Sequence, residues 1–134
     1  MILTKGGLRM EQYIVVKDAG ELEHFIAGDL CSLAEVFHPK NEELPFNGFS
    51  ISHAEILPHG STIPHKLVKS SEVYWIIEGC GTVFINGRPA ELKKGRAVVV
   101  PPSAVQYAVN DSDQKLEFLC IVSPPWDKSD EEII

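Results

Sequence analysis

Residues 65–79, HKLVKSSEVYWIIEG, hold two chemistry-bearing side chains, His65 and Glu72, on neighbouring short segments of β type. Side chains alternate across a strand, so His65 and Leu67 share one face, and Glu72, Tyr74 and Ile76 share one face of the next strand. If both faces turn inward, a carboxylate meets an imidazole inside a β-structure. The alternation of this stretch therefore decides both the fold and the site.

The same pattern continues on either side. LCSLAEVF (30–37), FSISHAEIL (49–57), GTVFING (81–87), PAELKK (89–94), AVVVPP (97–102), VQYAVN (105–110) and KLEFLCIV (115–122) are short and rich in β-branched or aromatic residues. Gly, Pro, Asn, Asp or Ser bound each of them. Asn86-Gly87 is a preferred type I′ hairpin turn, and Pro101-Pro102 must end a strand or lie at an edge. Many short strands at near-regular spacing indicate a sandwich or barrel.

The N-terminal part is patterned differently. YIVV (13–16) reads as a short strand able to add to a partner's sheet. DAGELEHFIAG (18–28) has Leu22, Phe25 and Ile26 at helical spacing with Gly28 as a stop, which predicts a two-turn helix with His24 on its surface. Residues 1–12 read as a tail, 13–126 as the β-domain and 127–134 as a solvated acidic tail. Met10 opens the better-patterned part and is a second candidate start. Trp126, after two prolines, is expected to pack outside the β-domain and anchor the C-terminus.

At 134 residues the chain fits one domain. Its net charge of −7 argues against nucleic acid or an anionic membrane as partner. The N-terminus has neither a secretory pattern nor a membrane-length apolar run, so a cytoplasmic location is expected. Cys31, Cys80 and Cys120 have no disulfide or zinc-ribbon spacing and read as reduced thiols.

The motif spacing resembles that of the cupin superfamily, in particular its small "mannose-6-phosphate isomerase-like" members. Gly60, His65, Leu67, Glu72 and Gly79 occupy the places of the first cupin motif, with one gap a residue shorter. Gly95, Pro101, Ser103, Gln106 and Asn110 fit the second. The resemblance covers roughly residues 49–122. It implies an all-β fold, a single jelly-roll barrel with a short N-terminal extension, and a homodimer. It also implies a divalent metal (Mn, Fe, Ni or Zn) at His65, Glu72 and the place of Gln106. Two departures stand out: Leu67 replaces the second histidine, and Gln106 replaces the histidine of the second motif. Gln offers a transition metal only a weak neutral oxygen. His53 would restore a second imidazole if it pointed inward, whereas His59, in a turn, is expected to be exposed.

His65 and Glu72 are also the candidate acid and base, as natural partners for each other. Tyr74 shares the face of Glu72, and Cys120 lies on the apolar face of KLEFLCIV, so both are candidate substrate contacts. The expected function is binding of a small polar molecule, a sugar or keto acid, in the barrel, with isomerase- or lyase-like chemistry. The alternative is a metal-free binding or sensor module.

Overall fold

Short runs of Val, Ile, Phe and Tyr between turn residues fold as two antiparallel sheets in the computed structural model, which describes residues 14–134. The strands in chain order are β1 (Phe25–Ile26), β2 (Ser32–Phe37), β3 (Ser50–Ile56), β4 (His65–Leu67), β5 (Ser71–Glu78) and β6 (Cys80–Ile85). They continue as β7 (Arg88–Lys93), β8 (Ala97–Val100), β9 (Gln106–Val109), β10 (Leu116–Ser123) and β11 (Glu131–Ile133). One sheet runs β1-β2-β3-β10-β5-β8, the other β11-β4-β9-β6-β7. This is the expected all-β jelly-roll barrel, built here from two sheets.

The core lies between the sheets. Ile76 from β5, Leu116 and Phe118 from β10, Val83 from β6 and Leu92 from β7 are all almost fully buried within one cluster. Each such large apolar side chain contributes about 1.5–3 kcal/mol relative to exposure. β10 is the central element, paired with β3 on one side and β5 on the other. Its inward face is the apolar set Leu116, Phe118, Cys120 and Val122, as the alternation predicts.

Turn chemistry agrees with the backbone. Asn86 and Gly87 have φ of 50° and 80°, the left-handed pair a type I′ turn needs. Ser103 stands at a glycine place of the second motif and takes φ 66°. Its hydroxyl donates to the Val68 carbonyl at 3.0 Å and its amide to Leu67 at 2.7 Å, which offsets the strain. Asn110 is fully buried, with its amide nitrogen near the carbonyls of Ile56, Leu57 and Gln114 and its oxygen accepting from Ser112.

Three expectations are corrected. Residues 18–28 form no two-turn helix: a 3-10 turn spans Ala19–Glu21, and Phe25–Ile26 pair with Leu33 and Ser32. Gly20 weakens a helix there, so short a helix is marginal in water, and the open edge of β2 offers ladder bonds instead. Tyr13 lies outside the described residues, as do residues 1–12 with Met10, and Ile14–Val16 form no strand. The acidic C-terminal segment is not a free tail. Asp127 caps a 3-10 turn, Asp130 accepts from the amides of Lys69 and Ser70 at 2.8 and 3.1 Å, and β11 pairs with β4. Its carboxylates serve as hydrogen-bond acceptors, and β4 gains the partner its edge lacked. Among the described residues, no helix is long and apolar enough to cross a membrane.

Gly79 ends the first motif at φ +87°, and a Cβ there would sit 2.4 Å from the Lys115 carbonyl oxygen. Gly87 also has a positive φ, but nothing lies within 4 Å of its would-be Cβ. We expect Gly79→Ala to cost about 3 kcal/mol or more in urea unfolding, and Gly87→Ala only the left-handed penalty of about 1–2 kcal/mol. Equal costs would contradict the close approach seen at Gly79.

Candidate functional site

Between the two sheets the packing leaves a cavity of about 130 Å³. β4 turns His65 and Leu67 toward it, β5 turns Glu72 and Tyr74, and β10 turns Phe118 and Cys120. The alternation that put these residues on shared faces in the sequence therefore brings them together. Asp29 and Cys31, from the segment before β2, and Trp126, from the C-terminal crossing, complete much of the wall.

His65 is held in one orientation. Its Nδ1 lies 2.8 Å from the Ile63 carbonyl, which can only accept, so Nδ1 donates. The other nitrogen, Nε2, lies 3.6 Å from an Asp29 carboxylate oxygen. Asp29 is fixed in turn: its other oxygen accepts from the Cys31 amide at 3.0 Å, and its carbonyl accepts from the Ile63 amide at 2.9 Å. An ordered carboxylate thus faces the nitrogen that is free for proton transfer. Asp29, not Glu72, is the carboxylate in ion-pair range of His65, which corrects the expected direct pairing.

Glu72 is buried. Burial raises its carboxyl above the ordinary 4.5, while the charge of His65 pulls the other way. The Gln106 amide acts on it as a dipole, without closing a hydrogen bond of acceptable geometry. Gln106 is fully buried, its oxygen accepts from the Tyr74 hydroxyl, and its Nε2 has no partner among the described residues. An orphaned buried donor costs about 1–3 kcal/mol. Burial also pushes the Tyr74 hydroxyl and the Cys31 and Cys120 thiols well up, so all three stay protonated. Neither cysteine supplies a thiolate nucleophile or soft metal ligand near neutral pH.

The cavity residues do not fit the metal that the motif implies. Leu67 is buried where a second imidazole would stand. Gln106 already accepts from Tyr74 through its one ligating oxygen, and its unpaired atom is a nitrogen donor that cannot coordinate. His65 and Glu72 alone fall short of the three protein ligands usual for a catalytic metal.

His53 does not make up the deficit. It adjoins Ser52, which lines the cavity, and so points to the other face of β3. There it meets His24 at 2.8 Å and Glu117 at 2.5 Å. His24 is therefore not a free surface residue of a helix. His24, His53 and Glu55 offer ligand atoms all within 4.8 Å of one another, an arrangement that can hold a metal. His59 is exposed, as expected, and pairs with Asp113 at 2.8 Å.

Sequence reasoning missed Asp29 because it sits in a turn, where strand alternation has no reach. The Gly28-Asp29 pair just before a strand was the available signal. Trp126 was expected outside. It lines the cavity, donating through Nε1 to Glu131 at 2.9 Å, while its carbonyl accepts from His38 at 2.6 Å. The C-terminal turn and β11, read as a tail, are what bring it there.

A chain with this geometry has relatives. An uncharacterized protein of Methanocaldococcus jannaschii is 32% identical over 123 residues, covering 90% of this chain and 95% of its own. A predicted oxalate decarboxylase from Thermotoga maritima superposes with a TM-score of 0.72 at 19% identity, over 81% of this chain and 98% of that one. A Streptomyces nucleoside dehydratase superposes at 0.70 with 16% identity, over 91% and 92%. At such identities the structural matches speak for the fold alone. The family model described as "Cupin domain" matches residues 52–122, both motifs included, and the chain belongs to the cupin family.

Proposed function

We propose that this cupin binds an uncharged, polyhydroxylated small molecule of the sugar class in its cavity and moves protons on it with His65 and Glu72, in an isomerase- or lyase-type reaction. The observation that carries the reading is the charge of the wall. Asp29, Glu35, Glu72 and Glu131 line the cavity, and among the described residues the basic side chains lining it are His38 and His65, with no Lys or Arg. His38 is committed to the Trp126 carbonyl through Nε2, and its Nδ1 accepts from the Lys40 amide at 3.2 Å. An anionic keto acid or sugar phosphate would meet the carboxylates of Asp29, Glu35 and Glu131 with only imidazoles to oppose them. A neutral polyol can donate its hydroxyls to them, and its carbon skeleton can lie on Phe118, Leu67 and Trp126. Of the two expected substrate classes, the sugar is therefore preferred to the keto acid.

The chemistry follows from the two groups. His65 Nε2, backed by Asp29, exchanges a proton with a bound hydroxyl or with carbon beside a carbonyl. Glu72, biased by burial toward its protonated form, delivers a proton to an oxygen. Removing a proton from carbon beside a carbonyl and protonating the carbonyl oxygen gives an enol, whose reprotonation at the neighbouring carbon completes an isomerisation. Protonating instead a hydroxyl one carbon further on releases it as water, a dehydration. One structural neighbour is a nucleoside dehydratase, whose substrate class carries a neutral sugar; this supports the reading by analogy only. A second reading, binding without chemistry, is favoured by Leu67, which replaces a motif ligand with an inert side chain. A homodimer belongs to the same proposal: Phe25 and Ile26 lie exposed on the two-residue edge strand β1, which a second copy can cover.

Three outcomes test this. In a thermal-shift panel, neutral aldoses, ketoses and nucleosides are expected to stabilise the protein, and keto acids and sugar phosphates to leave it unmoved; the reverse pattern would overturn the charge argument. For a ligand that is turned over, His65→Ala is expected to cut turnover by about 10²–10⁴-fold. A ligand whose affinity His65→Ala preserves, with no product formed by wild type, would leave only binding. The third outcome concerns pH. A carboxyl raised in the folded state holds a proton that the unfolded chain has released, so wild-type stability falls as pH rises from about 4.5 through the folded value. Glu72→Gln is expected to be at least as stable as wild type at pH 7.5 in urea unfolding, with the advantage shrinking toward pH 4.5. A variant that grows relatively more stable on acidification would contradict the raised value.

A further inference from the structure

On the face of β3 turned away from the cavity, the His24–His53–Glu55 cluster has an internal problem of hydrogen bonding. His24 Nδ1 lies 3.1 Å from the Leu22 carbonyl and can only donate to it. His53 Nε2 lies 2.5 Å from the Glu117 carboxylate and donates likewise. In neutral rings those two donations use the only protons available. His24 Nε2 and His53 Nδ1 then face each other at 2.8 Å, lone pair to lone pair. Something electropositive must sit between them. Glu55 adds an oxygen 3.4 Å from His24 Nε2, and its other oxygen is held by Lys115 at 2.7 Å.

We propose that His24, His53 and Glu55 form a divalent transition-metal site, of zinc class, on the outer face of the six-stranded sheet. Two imidazole nitrogens and a carboxylate oxygen suit zinc, nickel or copper better than calcium or magnesium. Tetrahedral zinc at 2.0–2.1 Å places two ligand nitrogens about 3.3 Å apart, so the rings need open only slightly. Each prospective ligand already has the outer partner that metal-bound groups use: a backbone carbonyl behind His24, a carboxylate behind His53, an ammonium behind Glu55. His53 is buried, whereas His24 and Glu55 are about one-fifth exposed, which leaves a solvent side for a fourth ligand. The ion ties the loop before β1 to β3. The site is independent of the cavity and of the reaction proposed there.

The test is zinc titration by calorimetry on chelator-stripped protein, with a cobalt absorption spectrum as the signature of coordination. Wild type is expected to take up about one equivalent and to gain thermal stability. His24→Ala, at the partly exposed edge of the cluster, is expected to abolish both while remaining folded, and Glu117→Gln to weaken binding by about 10–100-fold. His65→Ala and Glu72→Gln, in the cavity, are expected to bind zinc as wild type does. No uptake by wild type would overturn the proposal. Uptake unaffected by His24→Ala, or abolished by His65→Ala, would overturn it equally.

Discussion

The alternation of side chains along β3, β5 and β10 decides which groups of this protein can meet. In β3 it turns Ser52 and Ala54 inward and His53 and Glu55 outward. In β5 it sends Glu72, Tyr74 and Ile76 between the sheets, and in β10 Phe118 and Cys120. A slip of one residue would exchange the two sets and bury the outer histidine cluster in the apolar core. The register is fixed by apolar burial: Ile76 and Phe118 have nowhere else to go, and the polar residues between them follow.

Two chemical environments result on opposite faces of one sheet. Inside, a carboxyl is deprived of water and faces protonated thiols, a tyrosine hydroxyl and one imidazole. In the proposed function such a group works through protons, because desolvation makes its charge costly and its neutral form useful. Outside, two imidazoles and a carboxylate crowd around a point that needs positive charge. The motif places the metal ligands of this family inside; here the ligand-rich cluster is on the other face, and Leu67 and Gln106 mark what the inner site has lost.

Most of the fold was legible in the sequence because it rests on local signals. The strands from 32 to 123 follow apolar alternation, and their turns follow Asn-Gly, Gly and Pro at fixed places. That His65 shares a face with Leu67, and Glu72 with Tyr74, was read from parity; that those faces turn into the cavity was implied by the family resemblance. The misreadings lie where parity gives no information. Asp29 and Trp126 reach the cavity from irregular segments. His24 was placed on a helix because three apolar residues mimic helical spacing, when the edge of β2 in fact captures Phe25 and Ile26. Residues 131–133 look like solvated acid in sequence, since the need of β4 for a partner is visible only in three dimensions.

The central claim, that the cavity is a proton-transfer site built on a desolvated carboxyl, can be measured at one atom. A carbon-13 titration of the Glu72 side-chain carboxyl by NMR, assigned with Glu72→Gln, reports its ionisation directly. The account predicts a midpoint above 4.5, moving further up in His65→Ala as the opposing imidazole charge is removed. A midpoint at or below 4.5, indifferent to His65, would contradict it.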